Sequence, residues 1–277
     1  MTLWFWLNRL RNCRTLKVSD YVRRAGHEAV WLIAHALGME QSAVYARAEF
    51  LPEEEAKIQQ VFSRREAGEP LQYILGEADF YGRDFRAGPG VLIPRHDTET
   101  LIQAVKRHFA QDEAFTFTDW GTGSGCIAIT ILLEFPKTHA YLVEASNDAR
   151  KFAVMNLERY NLTHRAEFVD TLPKCTLTVS NPPYIPSGEI AGLMNTVRDY
   201  EPHMALDGGT DGMKFYRQIF AQAESTCIIL ETGNMNQVHA LKTMSSKYIC
   251  CDEVHDYGDF PRCLVFRRRN IHEETNR

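Results

Sequence analysis

The feature that most constrains the fold is a regular alternation of strand and helix signals after residue 115. Strand signals occur at residues 115–120, 139–143, 166–169, 176–180, 227–231 and 264–266. Between them, apolar residues recur at helical spacing at residues 125–134, 148–160, 215–223 and 238–244. This alternation predicts an α/β fold with a mostly parallel sheet and helices on both of its faces.

The chain has a different character before residue 70. Helices are predicted at residues 25–37 and 51–67, and the second begins with Pro52 in its first turn. Residues 70–95 interleave aromatic residues with glycine and proline, which predicts a hairpin or a pair of short strands, and a helix follows at 98–110. We therefore expect a helical N-terminal domain at 1–70, a hairpin linker at 71–96 and a main domain at 97–277.

Charge and composition exclude several classes of function. The net charge is −5, whereas a protein that grips nucleic acid by its phosphates is usually basic, so no direct nucleic-acid contact is expected. The seven cysteines follow no zinc or redox spacing, and no metal site is expected. No apolar run approaches the roughly 18 residues that span a membrane, and the N-terminus does not have the pattern of a signal peptide. We expect a cytoplasmic protein without a membrane anchor.

A glycine-rich loop lies between the first strand and the first helix of the main domain. It contains Gly121, Gly123 and Gly125, with Thr122 and Ser124 between them. Glycines at this place let a ligand approach the backbone, and the helix start behind them offers free N–H groups. Glu144 ends the next strand, about 20 residues on, where an acid can accept hydrogen bonds from ribose hydroxyls. Together these features predict a nucleoside cofactor; the alternative is a tight turn beside a surface glutamate.

Two further residues extend this prediction along the sheet edge. Asp170 follows the third strand, where its carboxylate can accept a hydrogen bond from an adenine amino group. Thr171 would then lie beside the adenine ring. The alternative for Asp170 is an ordinary turn residue.

The segment Asn181-Pro182-Pro183-Tyr184 follows the fourth strand, and its composition points to methyl transfer onto an amide or amine nitrogen. Such a nitrogen is a poor nucleophile because its lone pair is delocalised. The side-chain oxygen of Asn181 and the carbonyl of Pro182 can hold its NH2 group and aim the lone pair, and proline keeps that backbone rigid. Tyr184 can pack on the planar substrate group and exclude water. No general base is required before transfer.

In combination, the motifs of this chain resemble the HemK/PrmC family of peptide-chain-release-factor glutamine N5-methyltransferases. The resemblance covers roughly residues 25–267. The segments that carry it, besides the two loops, lie at 64–65, 68–76, 80–82, 91–95, 98–99, 180–186, 200–202, 205–209, 211–212 and 257–259. Departures include Trp120, where the family usually has Leu or Ile, and Glu144, where Asp is common. Thr171 stands where a larger apolar or aromatic residue is usual.

The resemblance implies a Rossmann-like class I methyltransferase fold with a mostly parallel seven-stranded sheet and a small helical N-terminal domain that helps to dock the substrate. It implies S-adenosyl-L-methionine as cofactor, S-adenosyl-L-homocysteine as product, and the glutamine of the Gly-Gly-Gln motif of release factors as the methylated group, with an effect on translation termination. Asn181 would also contact the cofactor. Asn181, Pro182, Pro183 and Tyr184 would hold the glutamine, and Leu92 and Arg95 would lie near the substrate entrance. Nothing in the sequence demands more than a monomer.

Other functions remain open on the sequence alone. An Asn-Pro-Pro-Tyr segment also suits the exocyclic amines of adenine, cytosine and guanine, so a nucleic-acid amino methyltransferase is one alternative. A glutamine methyltransferase acting on a ribosomal protein is another. A noncatalytic binding module that keeps the fold is the alternative from a different class, and cofactor binding without turnover would identify it.

Overall fold

The computed structural model describes residues 17–47 and 49–269. The chain forms two compact units, Met1–Gly76 and Glu77–Arg277. The predicted linker is therefore divided between them, with residues 71–76 in the first unit and the hairpin in the second. The predicted domain boundaries at residues 70 and 96 stay predictions.

The described part of the first unit is helical. Its helices are α1 (Val18–Ala25), α2 (Glu28–Leu37), α3 (Gln41–Tyr45), α4 (Pro52–Glu66) and α5 (Leu71–Leu75). The predicted helix at 25–37 begins later, at Glu28, because Gly26 adopts a φ of 56° and separates α1 from α2. Tyr21, Leu32, Ile33 and Ile58 are fully buried and form its core. A helical N-terminal domain is thereby confirmed.

The second unit starts with the predicted hairpin. Strands β1 (Glu77–Phe80) and β2 (Arg83–Arg86) pair in antiparallel fashion. Their two-residue turn, Tyr81-Gly82, has positive φ at both positions, which is the turn geometry that matches the twist of paired strands. Helix α6 (Glu99–His108) follows a short 3-10 turn at His96–Thr98.

The core of the second unit is a seven-stranded sheet. Its strands, in chain order, are β3 (Thr116–Trp120), β4 (His139–Val143), β5 (Ala166–Phe168), β6 (Leu177–Ser180), β7 (Cys227–Glu231), β8 (Tyr248–His255) and β9 (Pro261–Arg268). The order across the sheet is β5-β4-β3-β6-β7-β9-β8. The pairs that include β9 are antiparallel, and the other four pairs are parallel. The mostly parallel seven-stranded sheet is confirmed.

Helices cover both faces of this sheet, as the alternation predicted. They are α6, α7 (Cys126–Glu134), α8 (Asn147–Arg159), α10 (Lys214–Gln222) and α11 (Met235–Thr243), whereas the short helix α9 (Asn195–Arg198) belongs to the connection between β6 and β7. The central strands β6 and β7 are buried along their whole length, which is typical of a parallel sheet covered on both sides. Strand β4 lies on one side of β3 and β6 on the other, so the order of the strands reverses at β3. Ligands bind at such a switch point, beyond the carboxyl ends of the strands.

Candidate active site

A cavity opens at this switch point, between the loops that follow β3 and β6. Its empty space, including the part open to solvent, is about 1010 Å³. It brings together nine of the predicted site residues: Leu92, Arg95, Gly121, Thr122, Gly123, Ser124, Glu144, Asn181 and Pro183. Trp120, Ile127, Val143 and Phe215 add apolar surface to the cavity lining. A mostly apolar cleft into which a small number of polar groups converge is typical of a cofactor site.

The glycine loop is fixed by backbone hydrogen bonds. The N–H groups of Gly121 and Thr122 both donate to the carbonyl of Val143, at 2.8 and 3.1 Å. Gly121, Gly123 and Gly125 have φ values of 76°, 57° and 81°, which side chains other than glycine adopt only under strain. A Cβ at Gly125 would also lie 3.1 Å from Cδ1 of Ile129. The loop thus needs its glycines both for its turn and for close packing on α7.

Glu144 holds the other side of the loop. Its carboxylate accepts a hydrogen bond from the Gly123 N–H and another from the Ser146 N–H, each at 2.8 Å. Two such bonds use about half of the acceptor sites of a carboxylate. The remaining lone pairs belong to a side chain that lines the cavity, so they are available to hydroxyl donors of a ligand.

A buried aspartate lies under this loop. Asp119 is fully buried in β3, and its Oδ2 accepts a hydrogen bond from the Ala128 N–H at 3.2 Å. Oδ1 has no hydrogen-bond partner among the described residues. Burial raises the pKa of Asp119 to about 7, and the nearby charge of Glu144 adds to the rise. The carboxyl therefore connects β3 to the start of α7.

Asn181 forms the opposite wall. Its Nδ2 donates a hydrogen bond to Oγ1 of Thr98 at 3.0 Å. The preceding residue, Ser180, donates its hydroxyl to the Trp120 carbonyl at 2.6 Å, which ties the ends of β6 and β3 together. With its NH2 group engaged by Thr98, the side-chain oxygen of Asn181 is left as an acceptor at a wall of the cavity.

Tyr184 does not line the cavity; its ring packs within the fold. A Cβ at Gly233 would lie 2.5 Å from the Tyr184 ring, so the ring rests directly on that glycine. The carbonyl of Tyr184 accepts a hydrogen bond from Nε2 of the buried Gln237 at 2.7 Å. Burial raises the pKa of the Tyr184 phenol, which stays protonated. These contacts fix the backbone of the Asn-Pro-Pro-Tyr segment.

The carboxyl of Glu231, at the end of β7, lies behind this segment. It is 1% exposed, and its Oε2 lacks a hydrogen-bond partner in the part of the chain that the structure describes. Burial raises its pKa to about 7, while the nearby hydroxyl of Thr98, the charge of Arg262 and the hydroxyl of Tyr184 act in the opposite direction. The guanidinium of Arg262 forms salt bridges with Asp97 and Asp256, with N–O distances of 3.2 and 3.1 Å.

A third buried acid, Glu201, supports the predicted substrate entrance. Arg95 forms a salt bridge with Glu201, whose side chain is 1% exposed. Glu201 also accepts a hydrogen bond from the Ile93 N–H at 3.3 Å. Leu92 and Arg95 both line the cavity, so the segment around them forms one of its edges.

Five of the predicted site residues lie outside the cavity lining. They are Gly125, Asp170, Thr171, Pro182 and Tyr184. Gly125 and Pro182 are buried beside lining residues, whereas the Asp170 side chain is 97% exposed and faces Arg150 at 3.7 Å. Thr171 is exposed too.

Sequence reasoning assigned no role to several residues that shape the site: Thr98, Glu201, Glu231, Gly233, Gln237 and Arg262. One signal could have found Glu231. It ends a buried strand of the parallel sheet, at the edge where ligands bind, as Glu144 does. Thr98 and Glu201 lie inside two of the segments that carry the family resemblance.

Within the described ranges, one group of side chains has metal-ligand spacing: Asp79, His96 and Glu99. Glu99 accepts hydrogen bonds from the Tyr81 N–H at 2.9 Å and pairs with Nδ1 of His96 at 3.1 Å. These mostly exposed groups therefore link the hairpin to the start of α6. Between residues 17 and 269, Ala48 aside, no helix has the length and apolarity to cross a membrane.

Comparison with known proteins agrees with this geometry. Residues 95–196 match the family model of the methyltransferase small domain, and residues 12–76 match that of the PrmC N-terminal domain. The fold and the site therefore define a methyltransferase.

Curated relatives identify the family. A release factor glutamine methyltransferase from Geobacter sulfurreducens is 37% identical over 243 residues, which cover 83% of this chain and 84% of that protein. One from Moorella thermoacetica is 34% identical over 265 residues, covering 90% and 93%. A solved structure, a release-factor-specific protein-(glutamine-N5) methyltransferase from Alicyclobacillus acidocaldarius, is 26% identical, with a TM-score of 0.39, and covers 67% of this chain and 100% of that chain. This chain belongs to the release factor glutamine methyltransferase family.

Proposed function

We propose that this protein transfers a methyl group from S-adenosyl-L-methionine to the side-chain amide nitrogen (N5) of the glutamine in the Gly-Gly-Gln motif of peptide chain release factors. S-adenosyl-L-homocysteine is the other product, and the modification modulates translation termination. One observation carries the proposal. In a chain of this family, Asn181 presents an acceptor oxygen in the same cavity as the glycine loop and Glu144.

The residues on the β3–β4 side of the cavity fit the cofactor. The glycine loop leaves space beside Gly121, where a Cβ would meet no atom closer than 4.0 Å, so a ligand can approach the backbone. Glu144 keeps acceptor sites for the ribose hydroxyls. Gly121, Thr122, Gly123 and Ser124 would hold the methionine end. Cofactor contacts by Asp170 and Thr171 stay a prediction, and their exposure argues for a small contribution.

The residues on the β6 side of the cavity act by positioning the substrate amide. S-adenosyl-L-methionine supplies an electrophilic methyl group. The Asn181 side-chain oxygen and the Pro182 carbonyl accept the two N–H hydrogens of the substrate amide. These two hydrogen bonds fix the amide so that its nitrogen lone pair faces the methyl group. Because the Asn181 side chain is held by Thr98 before substrate binds, little reorganisation is needed in the transition state. Tyr184, packed on Gly233, holds the segment and keeps water from its inner face.

The N-terminal helical unit and the entrance residues have roles in recognition. We assign docking of the release factor to the first unit, on the family resemblance, and entrance of the Gly-Gly-Gln loop to the edge formed by Leu92, Pro183 and Arg95. We also propose that the protein acts as a monomer.

A methyl-transfer assay tests the function. The protein is incubated with S-adenosyl-L-methionine and a bacterial-type release factor, and the Gly-Gly-Gln peptide is analysed by mass spectrometry. We expect one added methyl group on that glutamine. Transfer to a ribosomal protein, rRNA or DNA in parallel reactions, with none to the release factor, would retain the site chemistry and reject the proposed substrate.

A further inference from the structure

The edge of the cavity has to recognise a substrate segment without side chains. This requirement rests on the function proposed above, in which two glycines precede the target glutamine. A glycine can be recognised only through its main-chain N–H and carbonyl groups, or through the space that a side chain would need. A main-chain carbonyl is a neutral acceptor with two lone pairs. Fixed N–H donors at the entrance are therefore the groups that suit such a segment.

Arg95 supplies donors of this kind. Among the described residues that line the cavity, it is the one basic side chain. The side chain is 39% exposed, and a guanidinium carries five N–H donors in one plane. Within the described ranges, Nη2 makes the one side-chain hydrogen bond of Arg95, to Glu201. The N–H groups on Nε and Nη1 are therefore left for a ligand.

Glu201 fixes the place of this guanidinium. Its side chain is 1% exposed, and its two oxygens have separate partners. Oε1 pairs with Nη2 of Arg95, and Oε2 accepts a hydrogen bond from the Ile93 N–H at 3.3 Å. One buried carboxylate thus holds both the backbone of residues 93–95 and the tip of the Arg95 side chain. A long side chain that is already held at its tip loses little further freedom when a ligand binds.

The charge of this pair decides which acceptor suits Arg95. Two kinds of acceptor enter the cavity under the proposed function: the carboxylate of the cofactor and the carbonyls of the substrate. Because Glu201 compensates the charge of Arg95, the pair attracts an anion less than an isolated guanidinium does. The planar, directional N–H donors of the guanidinium remain. The pair therefore favours neutral carbonyls over the cofactor carboxylate.

We propose that Arg95 is a substrate-binding residue that donates hydrogen bonds to main-chain carbonyls of the Gly-Gly segment, and that Glu201 is a positioning residue that acts through Arg95. We call Arg95 and Glu201 the entrance pair. It recognises the main chain of the release-factor loop, whereas Asn181 holds the amide that receives the methyl group. The entrance pair should therefore determine the KM for the release factor, and Asn181 should determine kcat.

Arg95→Met and Arg95→Lys form the first test. Methionine keeps an unbranched stem without donors, and lysine keeps the charge without the planar fork. We expect Arg95→Met to raise the KM for the release factor on the order of 10- to 100-fold, with kcat within about threefold of the wild-type value. Arg95→Lys should have an intermediate KM. An Arg95→Lys variant with the wild-type KM would show that charge alone is needed and would reject the planar donors.

Calorimetry with S-adenosyl-L-methionine is the control for the choice of acceptor. The Kd of the cofactor should change by less than about twofold in Arg95→Met, because the entrance pair favours a neutral acceptor. A large rise in that Kd with an unchanged KM for the release factor would assign Arg95 to the cofactor carboxylate and overturn the proposal.

A double-mutant cycle tests whether Glu201 acts through Arg95. We expect Glu201→Gln to raise the KM for the release factor, because the guanidinium loses its fixed place. Adding Glu201→Gln to Arg95→Met should change the KM by less than about twofold. The double variant also removes the buried charge that Arg95→Met leaves unpaired, so it keeps the comparison with the wild-type protein valid if the single variant is unstable. Circular dichroism checks the fold of each variant. Effects that multiply would show that Glu201 has only a structural role.

The substrate end is tested by weakening its carbonyls. A release factor is prepared in which the peptide bond after one of the two glycines is an ester, since an ester carbonyl is a poorer acceptor than an amide carbonyl. The wild-type protein should have a KM at least about threefold higher for an ester substrate than for the normal one. Arg95→Met should not distinguish the two. The same ratio of KM values in both proteins, for an ester after either glycine, would show that Arg95 does not bind these carbonyls.

Failure of the entrance pair can be distinguished from failure of the proposed function. If the wild-type protein methylates no release factor, the proposed substrate is wrong. If the wild-type protein is active and Arg95→Met has the same KM for the release factor, the entrance pair alone is wrong.

Discussion

Two buried carboxyls lie under the two walls of the cavity, and they are held in different ways. Asp119, under the glycine loop, is bonded to a backbone N–H of α7. Glu231, behind the Asn-Pro-Pro-Tyr segment, faces the side chains of Thr98, Tyr184 and Arg262. Each has one oxygen without a hydrogen-bond partner among the residues described, and burial raises the pKa of each to about 7.

The two walls of the cavity are held in place by different kinds of hydrogen bond. The glycine loop takes its shape from main-chain bonds to β4 and from glycine conformations, so Asp119 serves the fold. The opposite wall must fix the orientation of one side-chain amide, and main-chain bonds cannot do that. There the hydroxyl of Thr98 accepts a hydrogen bond from Nδ2 of Asn181 at 3.0 Å. We therefore expect substitutions on the first wall to change stability or cofactor affinity, and those on the second to change turnover.

The largest effect is expected at Asn181. Asn181→Ala should lower turnover by on the order of 10²- to 10³-fold and leave the fold intact, because one preorganised acceptor of the substrate amide is lost. Steady-state kinetics with a release factor measures this. Asn236→Ala, at an exposed position of α11, is the control and should behave like the wild-type protein. Near-normal turnover in Asn181→Ala would refute its role.

The next effect concerns stability and pH at Asp119. Its pKa is raised in the folded state from an ordinary value near 4, so the folded protein binds the proton more tightly. Stability from this group is fully present below the unfolded pKa and is lost as the pH rises toward 7. Between pH 5 and pH 7 this amounts to about 2–3 kcal/mol.

Asp119→Asn should remove that share of the pH dependence, which urea unfolding at several pH values can measure. Glu231→Gln should flatten the stability curve in the same way, because its pKa is raised by the same cause. A curve for Asp119→Asn that runs parallel to the wild-type curve would show that Asp119 is ionised in the folded protein throughout.

On the cofactor side, Glu144→Ala should weaken binding of S-adenosyl-L-methionine by about 1–3 kcal/mol. The substitution removes the hydrogen bonds to the ribose hydroxyls and also the hydrogen bond that Glu144 accepts from the Gly123 N–H. Glu144→Gln keeps one acceptor oxygen and should give an intermediate affinity. Calorimetry measures both, and unchanged affinity in Glu144→Ala would remove ribose binding from this residue.

The sequence predicted the parts of this molecule that depend on local pattern. The apolar runs of β3, β4 and β7 gave strands with bounds within one residue of those found, and both loops were visible as contiguous motifs. Strand β8 was missed because its burial does not alternate regularly and its pairing with β9 shifts register after Cys250. A strand at the sheet edge with such irregularities has no period-2 signal.

Contacts between distant segments could not be predicted. Asn181 and Thr98 are 83 residues apart, and nothing in either segment announces their hydrogen bond. The direction of the Tyr184 ring depends on the space left by Gly233, so the sequence placed Tyr184 in the correct segment without indicating that its ring packs inward. Side-chain orientation is set by tertiary packing, which the local pattern does not contain.

The smallest effect should come from Asp170, and it limits how far the cofactor wall extends. The Asp170 side chain is 97% exposed, and its partner Arg150 lies 3.7 Å away. An exposed ion pair of this kind contributes at most about 1 kcal/mol. Asp170→Ala should therefore change the affinity for S-adenosyl-L-methionine by less than about 0.5 kcal/mol. A loss as large as that of Glu144→Ala would mean that residues 170–171 close over the adenine when the cofactor binds, and that the cofactor wall, unlike the substrate wall, is completed by its ligand.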